Sequence, residues 1–117
     1  MLMHELAIAK NIKDIVEEQV KEHNEIKKVE RIKLVIGNMH AVVPESLRFN
    51  FKLLCKDTPF ENTLLDIKEI PVRGECNTCG KSFIMENHLF ICPFCGSISI
   101  SIKGGDEFFI ESIIGEE

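Results

Sequence analysis

The residues best suited to do chemistry are four of the five cysteines. Cys76-Asn77-Thr78-Cys79-Gly80 and Cys92-Pro93-Phe94-Cys95-Gly96 both follow the pattern C-x2-C-G, with twelve residues between the inner cysteines. Each pair can present two thiolates from one tight turn, because the glycine permits the positive φ that the turn requires. Two facing turns would surround a metal ion with four sulfurs and leave no open position. We therefore predict a structural Zn²⁺ site at Cys76, Cys79, Cys92 and Cys95.

Two alternatives to this zinc site use the same residues. Iron in a rubredoxin-like site binds to the same kind of turn, and spacing alone does not separate the two metals; use in the cytosol favours zinc. A thioredoxin-type redox role requires a C-x-x-C pair at a helix N-terminus in a βαβ unit, and neither pair has that context. The fifth cysteine, Cys55, falls on the apolar face of a predicted helix and is expected to be a buried small hydrophobe.

A second candidate lies at Met3-His4-Glu5, where a helical pattern begins. In the simpler interpretation, Glu5 complements the positive end of the helix dipole and His4 is solvated. If Met3 were the first residue, its free amine, the next amide nitrogen and the His4 imidazole could chelate one metal ion. Nitrogen ligands in a plane suit Ni²⁺ or Cu²⁺. These residues by themselves leave both interpretations open.

The elements that must position these residues follow from hydrophobic periodicity. Apolar residues recur at three- and four-residue steps from Met3 to about His23, which predicts an amphipathic helix. Alternation from Val29 to Ile36 predicts a half-buried strand, and a second strand is expected over 64–72. A second helix should begin at Pro44 and end before Pro59. Its apolar face would consist of Leu47, Phe51, Leu54 and Cys55.

The remaining segments complete the predicted fold. Residues 74–102 have too few apolar residues for a core of their own, whereas 108–114 are too apolar for a free tail. We therefore expect the last strand to return to the first sheet, which makes the cysteine segment an insertion. The predicted class is α+β, with two helices on a small mixed β-sheet and an inserted zinc-ribbon-like β module. The α/β domain would comprise 1–73 and 105–117, and the zinc module 74–104.

Composition limits the function classes. The chain has 117 residues and a net charge of −5, and its lysines are scattered among glutamates, which argues against a nucleic-acid partner. No apolar run reaches the length of about 18 residues that a membrane helix needs, and no signal peptide is recognisable. We expect a cytoplasmic protein without a membrane partner. In that compartment, cysteines are metal ligands more often than disulfides.

Several motifs in the same order resemble the HypA/HybF family of hydrogenase maturation proteins. They are Met3-His4-Glu5, Val35-Ile36-Gly37 followed by 43–49, and the paired C-x2-C turns, which together span essentially the whole chain. The resemblance implies a nickel metallochaperone, not an enzyme, that works with the GTPase HypB and delivers Ni²⁺ to the large subunit of [NiFe]-hydrogenase. It places nickel at Met3, His4 and Glu5. It places zinc at the four paired cysteines.

Three points remain open beside this resemblance. Met1 and Leu2 precede the family's usual start and would separate the free amine from His4, so we expect translation to begin at Met3. His88 could be an auxiliary nickel ligand, although a solvated loop histidine is the simpler interpretation. The competing function is a zinc-ribbon interaction module that acts as a scaffold or within a transcription assembly. We find no nucleophile, acid–base pair or phosphate loop that would support an enzyme.

Overall fold

The computed structural model describes residues 2–23, 28–85 and 89–116, without the side chains of residues 2 and 3. The elements, in chain order, are α1 (Leu2–Glu22), β1 (Lys28–Gly37), a 3-10 helix (Asn38–His40), α2 (Pro44–Cys55), β2 (Leu64–Ile70), β3 (Arg73–Cys76), β4 (Ser82–Ile84), β5 (Ile100–Gly104) and β6 (Phe108–Glu116). The first unit comprises Met1–Leu34, Val42–Lys68 and Ile110–Glu117. The second comprises Val35–Ala41 and Glu69–Phe109. The predicted folding of 74–104 as a separate module stays a prediction.

The two helices of the first unit pack against each other. Helix α1 buries a stripe at three- and four-residue spacing, which removes the apolar face of an amphipathic helix from water. Helix α2 begins with Pro44 at its first turn, where a missing N–H costs no hydrogen bond. The buried apolar residues are Ile8, Ala9, Ile12 and Val16 on α1, and Leu47, Phe51 and Cys55 on α2. Both predicted helices are confirmed, and neither helix in the described part of the chain is long and apolar enough to cross a membrane.

The larger sheet has the strand order β2-β1-β6. The central strand, β1, carries the buried residues Val29, Ile32, Leu34, Val35 and Ile36. The last strand of the chain lies beside the first, so the predicted return of residues 108–114 to the first sheet is confirmed.

The smaller sheet has the order β4-β3-β5, and both of its strand pairs are antiparallel. Gly74 on β3 lies opposite Phe83 on one side and Ile102 on the other. A Cβ at Gly74 would come within 2.9 Å of Ile100 and 3.0 Å of the Met85 sulfur, so these side chains cover the strand where it has none of its own. With two helices, two small sheets and a four-cysteine cluster that begins at the end of β3, the predicted fold class is confirmed.

In the second unit, the end of β1 is closely approached by the turn before β6. The Gly37 amide donates to the Glu107 carbonyl at 2.7 Å, and the Met39 amide donates to the Gly105 carbonyl at 2.8 Å. A Cβ built on Gly37 would lie 2.0 Å from the Gly105 oxygen, a distance that no real pair of these atoms reaches. Position 37 therefore requires glycine for reasons of space.

We expect Gly37→Ala to lower the free energy of unfolding by about 2–3 kcal/mol, because the added methyl group must displace backbone atoms. Gly104→Ala is the matched control, since the nearest atoms to its Cβ lie 3.8 Å away. Urea denaturation of the metal-loaded proteins measures both changes. Equal stability of the two variants would contradict the close approach.

Candidate metal centres

Each cysteine pair lies in a tight turn of the same construction. The Gly80 amide donates to the Cys76 carbonyl, and the Gly96 amide donates to the Cys92 carbonyl, both at 2.9 Å. The two glycines have φ values of +79° and +78°, a region that L-residues with side chains rarely adopt. The sequence-based reason for glycine after each second cysteine is thus confirmed.

The two turns bring all four sulfurs together. The Sγ atoms of Cys76, Cys79, Cys92 and Cys95 lie within 4.8 Å of one another. Across the turns, Cys76 Sγ is 3.5 Å from Cys95 Sγ, and Cys79 Sγ is 3.7 Å from Cys92 Sγ. Bonds of about 2.3 Å from one ion to four sulfurs give a tetrahedron with edges of about 3.8 Å. The donor set therefore fits one four-coordinate metal ion, and we call these four residues the sulfur cage.

Backbone amides prepare part of the sulfur cage to carry negative charge. The amides of Cys79 and Thr78 each donate to Cys76 Sγ at 3.4 Å, and together they lower the pKa of Cys76 to about 6. For Cys92, burial raises the pKa, but the amides of Cys95 and Phe94 and the thiols of Cys79 and Cys95 together lower it. A thiolate is the form that binds metal.

The pKa of the Cys95 thiol shifts in the opposite direction. The Ser97 amide lowers the pKa of Cys95, yet the hydrogen bond between its thiol and the Cys76 sulfur, together with burial, raises that pKa to about 12. A thiol beside a thiolate keeps its proton because a second negative charge at this distance is unfavourable. A metal cation would remove that penalty.

Polar and aromatic contacts outside the sulfur cage connect the two turns. Thr78 Oγ1 and Ser97 Oγ are 2.8 Å apart, and Asn77 Nδ2 donates to Ser99 Oγ at 3.2 Å. The Lys81 ammonium lies 4.7 Å from the centroid of the Phe94 ring. Sequence reasoning missed these supporting residues, because serine, threonine and asparagine are ordinary loop residues and their spacing carries no sign of the pairing.

The N-terminal candidates lie in the first turn of α1. Nearly half of the His4 side-chain surface (47%) is exposed, and its Nδ1 is 3.9 Å from Glu5 Oε2. Glu5 itself is only 3% exposed, and its Oε2 accepts a hydrogen bond from the Val43 amide at 3.2 Å. Glu5 therefore joins α1 to the residue that precedes α2, a contact between positions 38 apart that no local pattern reveals. The backbone of Met3 belongs to α1, and its side chain is not among the parts of the chain that the structure describes.

The other residues considered from the sequence have separate positions. Cys55 is fully buried on α2, as predicted, and burial raises the pKa of its thiol. His40 Nε2 is 2.9 Å from the Asp106 carbonyl oxygen, and its ring meets Phe108 edge-on at 5.3 Å. These contacts give His40 a structural role within the second unit. His88 lies outside the described residues.

Comparison with known proteins supplies the family. Residues 3–115 match the family model described as hydrogenase/urease nickel incorporation, metallochaperone, hypA. The chain belongs to the HypA family. Among curated HypA relatives, hydrogenase maturation factor HypA of Moorella thermoacetica is 39% identical over 114 residues, covering 97% of this chain and 100% of the relative. The protein of the same name from Chlorobium limicola is 40% identical over 115 residues, covering 98% of each chain.

Solved structures of HypA proteins support the fold independently. The solution structure of the Ni metallochaperone HypA from Helicobacter pylori has a TM-score of 0.61 at 24% identity, covering 95% of this chain and 96% of that one. A second HypA solution structure has a TM-score of 0.67 at 24% identity and covers 97% of both chains. The family match over residues 3–115 and the curated relatives confirm the predicted membership of the HypA family.

Loss of one sulfur from the cage should abolish metal binding there. We expect Cys76→Ala to lower the metal content from one ion per chain to nearly zero, because the three remaining sulfurs no longer enclose the ion. Cys55→Ala is the matched control, since it removes the one cysteine outside the sulfur cage. Elemental analysis after gel filtration measures both. Retention of a full metal complement in Cys76→Ala would contradict the four-sulfur arrangement.

The Glu5–Val43 hydrogen bond predicts a difference between two substitutions at one position. Glu5→Gln keeps an acceptor oxygen and should leave thermal stability nearly unchanged. Glu5→Ala leaves the Val43 amide without this acceptor and should cost about 1–2 kcal/mol. Thermal unfolding followed by circular dichroism compares the two. If both variants had the melting temperature of the wild type, the contact would contribute nothing to stability.

Proposed function

We propose that this protein is a nickel metallochaperone that binds Ni²⁺ at Met3, His4 and Glu5 and delivers it to the large subunit of [NiFe]-hydrogenase. The observation that carries the proposal is the exposed His4 imidazole beside the Glu5 carboxylate in the first turn of α1, in a chain of the HypA family. The nickel incorporation named in the family description supports the metal, and the names of the curated relatives support hydrogenase as the client.

The first turn of α1 suits a transferable metal. Amides at the start of a helix have no intrahelical partner, so this backbone can change conformation at small cost. An amine, an amide and an imidazole from adjacent residues supply nitrogen ligands in one plane, which is a geometry that Ni²⁺ prefers and Zn²⁺ does not. With 47% of its side-chain surface exposed, His4 is accessible both to an incoming ion and to a recipient protein.

Glu5 takes part in this proposal through the carboxylate oxygen that faces His4. Oε2 lies 3.9 Å from His4 Nδ1 and also accepts the Val43 amide at 3.2 Å. The carboxylate would be positioned by α2 and at the same time supply negative charge near the cation. A buried carboxylate with one hydrogen bond also gains from a nearby positive charge, because burial without a partner is costly.

The sulfur cage is proposed to hold Zn²⁺ as a resident structural ion. Four thiolates with no open position are typical of structural zinc, and cytosolic use favours zinc over iron. When bound, zinc would supply folding energy to β3, β4 and β5, where the described residues contribute few buried side chains. Cys76, Cys79, Cys92 and Cys95 would be its ligands.

The proposed partners are the GTPase HypB and the hydrogenase large subunit, with activity in the cytoplasm and no nucleic acid or membrane involved. The net charge of −5 supports the exclusion of nucleic acid. Membership of a metallochaperone family supports a carrier that is not an enzyme. Because the family description names hydrogenase and urease together, a nickel transfer assay should include both as recipients.

The proposed nickel site uses the free amine of Met3 and therefore requires that translation starts at this residue. The family match begins at residue 3, which supports that start. The intact mass of the protein from its native source tests it directly. Recovery of a chain that retains Met1 and Leu2 would contradict a chelate built on the Met3 amine.

We expect Ni²⁺ titration of the zinc-loaded chain that begins at Met3 to show one added site, which His4→Ala weakens at least about a hundredfold because a chelating ligand is lost. His23→Ala is the matched control, since His23 is an exposed histidine at the opposite end of α1. Isothermal titration calorimetry measures affinity and stoichiometry for both variants.

The alternative function gives a different result in the same titration. A zinc-ribbon scaffold would take up no nickel beyond background in any of these proteins. Equal losses in His4→Ala and His23→Ala would also refute the proposed site, because nickel would then bind to surface histidines without selection.

A further inference from the structure

The two edge strands of the larger sheet differ in the chemistry of their side chains. The strand order is β2-β1-β6, so among the described residues β2 and β6 each have one side without a neighbouring strand. Strand β2 carries Asp66, Lys68 and Glu69, and charged side chains on an edge strand discourage pairing with another chain. Of the nine residues of β6, only Glu111 and Glu116 are charged. The open edge of β6 therefore has less of this protection than β2.

A groove runs between the second half of α1 and β6. Its volume is about 400 Å³, and its apolar lining consists of Ile15 and Val20 on α1 and Ile110 and Ile113 on β6. No described residue of β1 lines the groove, so it lies on the side of β6 that faces away from the neighbouring strand. Ile15 is 49% exposed. Apolar surface beside an open strand edge is typical of a site that binds another chain.

The charge at this edge is negative. Glu111 is exposed and lines the groove, and Glu116 is the last residue of β6. The strand contains no lysine or arginine. Opposite charges on neighbouring strands are favourable and like charges are destabilising. A strand that pairs with β6 should therefore bring a cation to the position opposite Glu111.

A second copy of this chain does not meet that requirement. Two β6 strands that paired antiparallel around Ser112 would place Glu111 opposite Ile113, and each copy would bring two carboxylates and no cation. The net charge of −5 on each chain would also oppose the association. The charge pattern thus favours a different chain that carries basic residues.

We propose that the open edge of β6 from Ile110 to Glu116, together with the groove beside α1, binds an extended peptide segment of a partner protein by strand addition. The segment carries a lysine or arginine opposite Glu111 and apolar residues on the same face, near Ile113 and Ile15. Backbone hydrogen bonds to β6 supply affinity, and the side chains supply specificity. This surface uses neither the proposed nickel ligands nor the sulfur cage, so its failure would leave the proposed function unchanged.

The first test uses the metal-loaded full chain and two fluorescein-labelled peptides, VTVTKTVTV and VTVTETVTV, which have the same length as β6, nine residues. Fluorescence anisotropy measures the two dissociation constants. We expect the lysine peptide to bind about fivefold more tightly than the glutamate peptide, because lysine is attracted to Glu111 and glutamate is repelled. Equal affinities, or no measurable binding of the lysine peptide, would overturn the proposal.

Two pairs of variants separate this edge from the overall negative charge of the protein. Glu111→Lys should reverse the preference between the peptides, whereas Glu18→Lys, at an exposed glutamate of α1 outside the groove, should keep it. Ile15→Ser should weaken the binding of the lysine peptide about tenfold through lost apolar contact. Leu53→Ser is its matched control, since Leu53 is 56% exposed on α2 and does not line the groove. The same result in both members of a pair would refute binding at this edge.

The second test asks whether the peptide adds a strand. Hydrogen exchange followed by mass spectrometry should show slower exchange of the amides of 110–116 when the lysine peptide is bound, and unchanged exchange at the other sheet edge, 64–70. Protection of 64–70 instead would place the peptide on the wrong edge and contradict the proposal. A dimer of the chain without peptide, with the same protection of 110–116, would assign the edge to a second copy and also overturn it.

Discussion

The fold of the second unit depends on bringing four sulfurs within 4.8 Å of one another. Few side chains are buried around β3, β4 and β5, so burial of apolar surface contributes less there than in the helical unit. Four thiolates in one place repel one another, because like charges at such distances disfavour the ionised form. A cation converts that repulsion into attraction, and the same residues that would destabilise the module without metal then stabilise it.

The two candidate metal sites have opposite constructions, and each suits a different task. In the sulfur cage, the ligands come from two turns whose glycines, amides and polar side chains hold them in place. At the start of α1, the proposed ligands are adjacent residues of one helical turn, with His4 half-exposed and Glu5 buried. A closed site with four ligands retains its ion, while an open site with few ligands can release one. The contrast follows from the number of ligands.

Glu5 has a structural role that is compatible with its proposed role as a nickel ligand. Its side chain is buried, and its hydrogen bond to the Val43 amide fixes the start of α1 relative to the start of α2. The hydrogen bond thereby holds the backbone next to His4 in place, while about half of the His4 side chain stays exposed. A proposed ligand that is already held by the protein core loses less conformational freedom when a metal binds.

The sequence by itself determined both helices, the first and last strands, the four metal-binding cysteines and the family, because each has a local pattern: helical or alternating periodicity, a proline at a helix start, or cysteines three apart before glycine. The tertiary structure alone decided that β1 is central, that Gly37 requires glycine and that Glu5 holds the Val43 amide. These features depend on contacts between residues that are far apart in the chain, and local sequence patterns do not reveal such contacts.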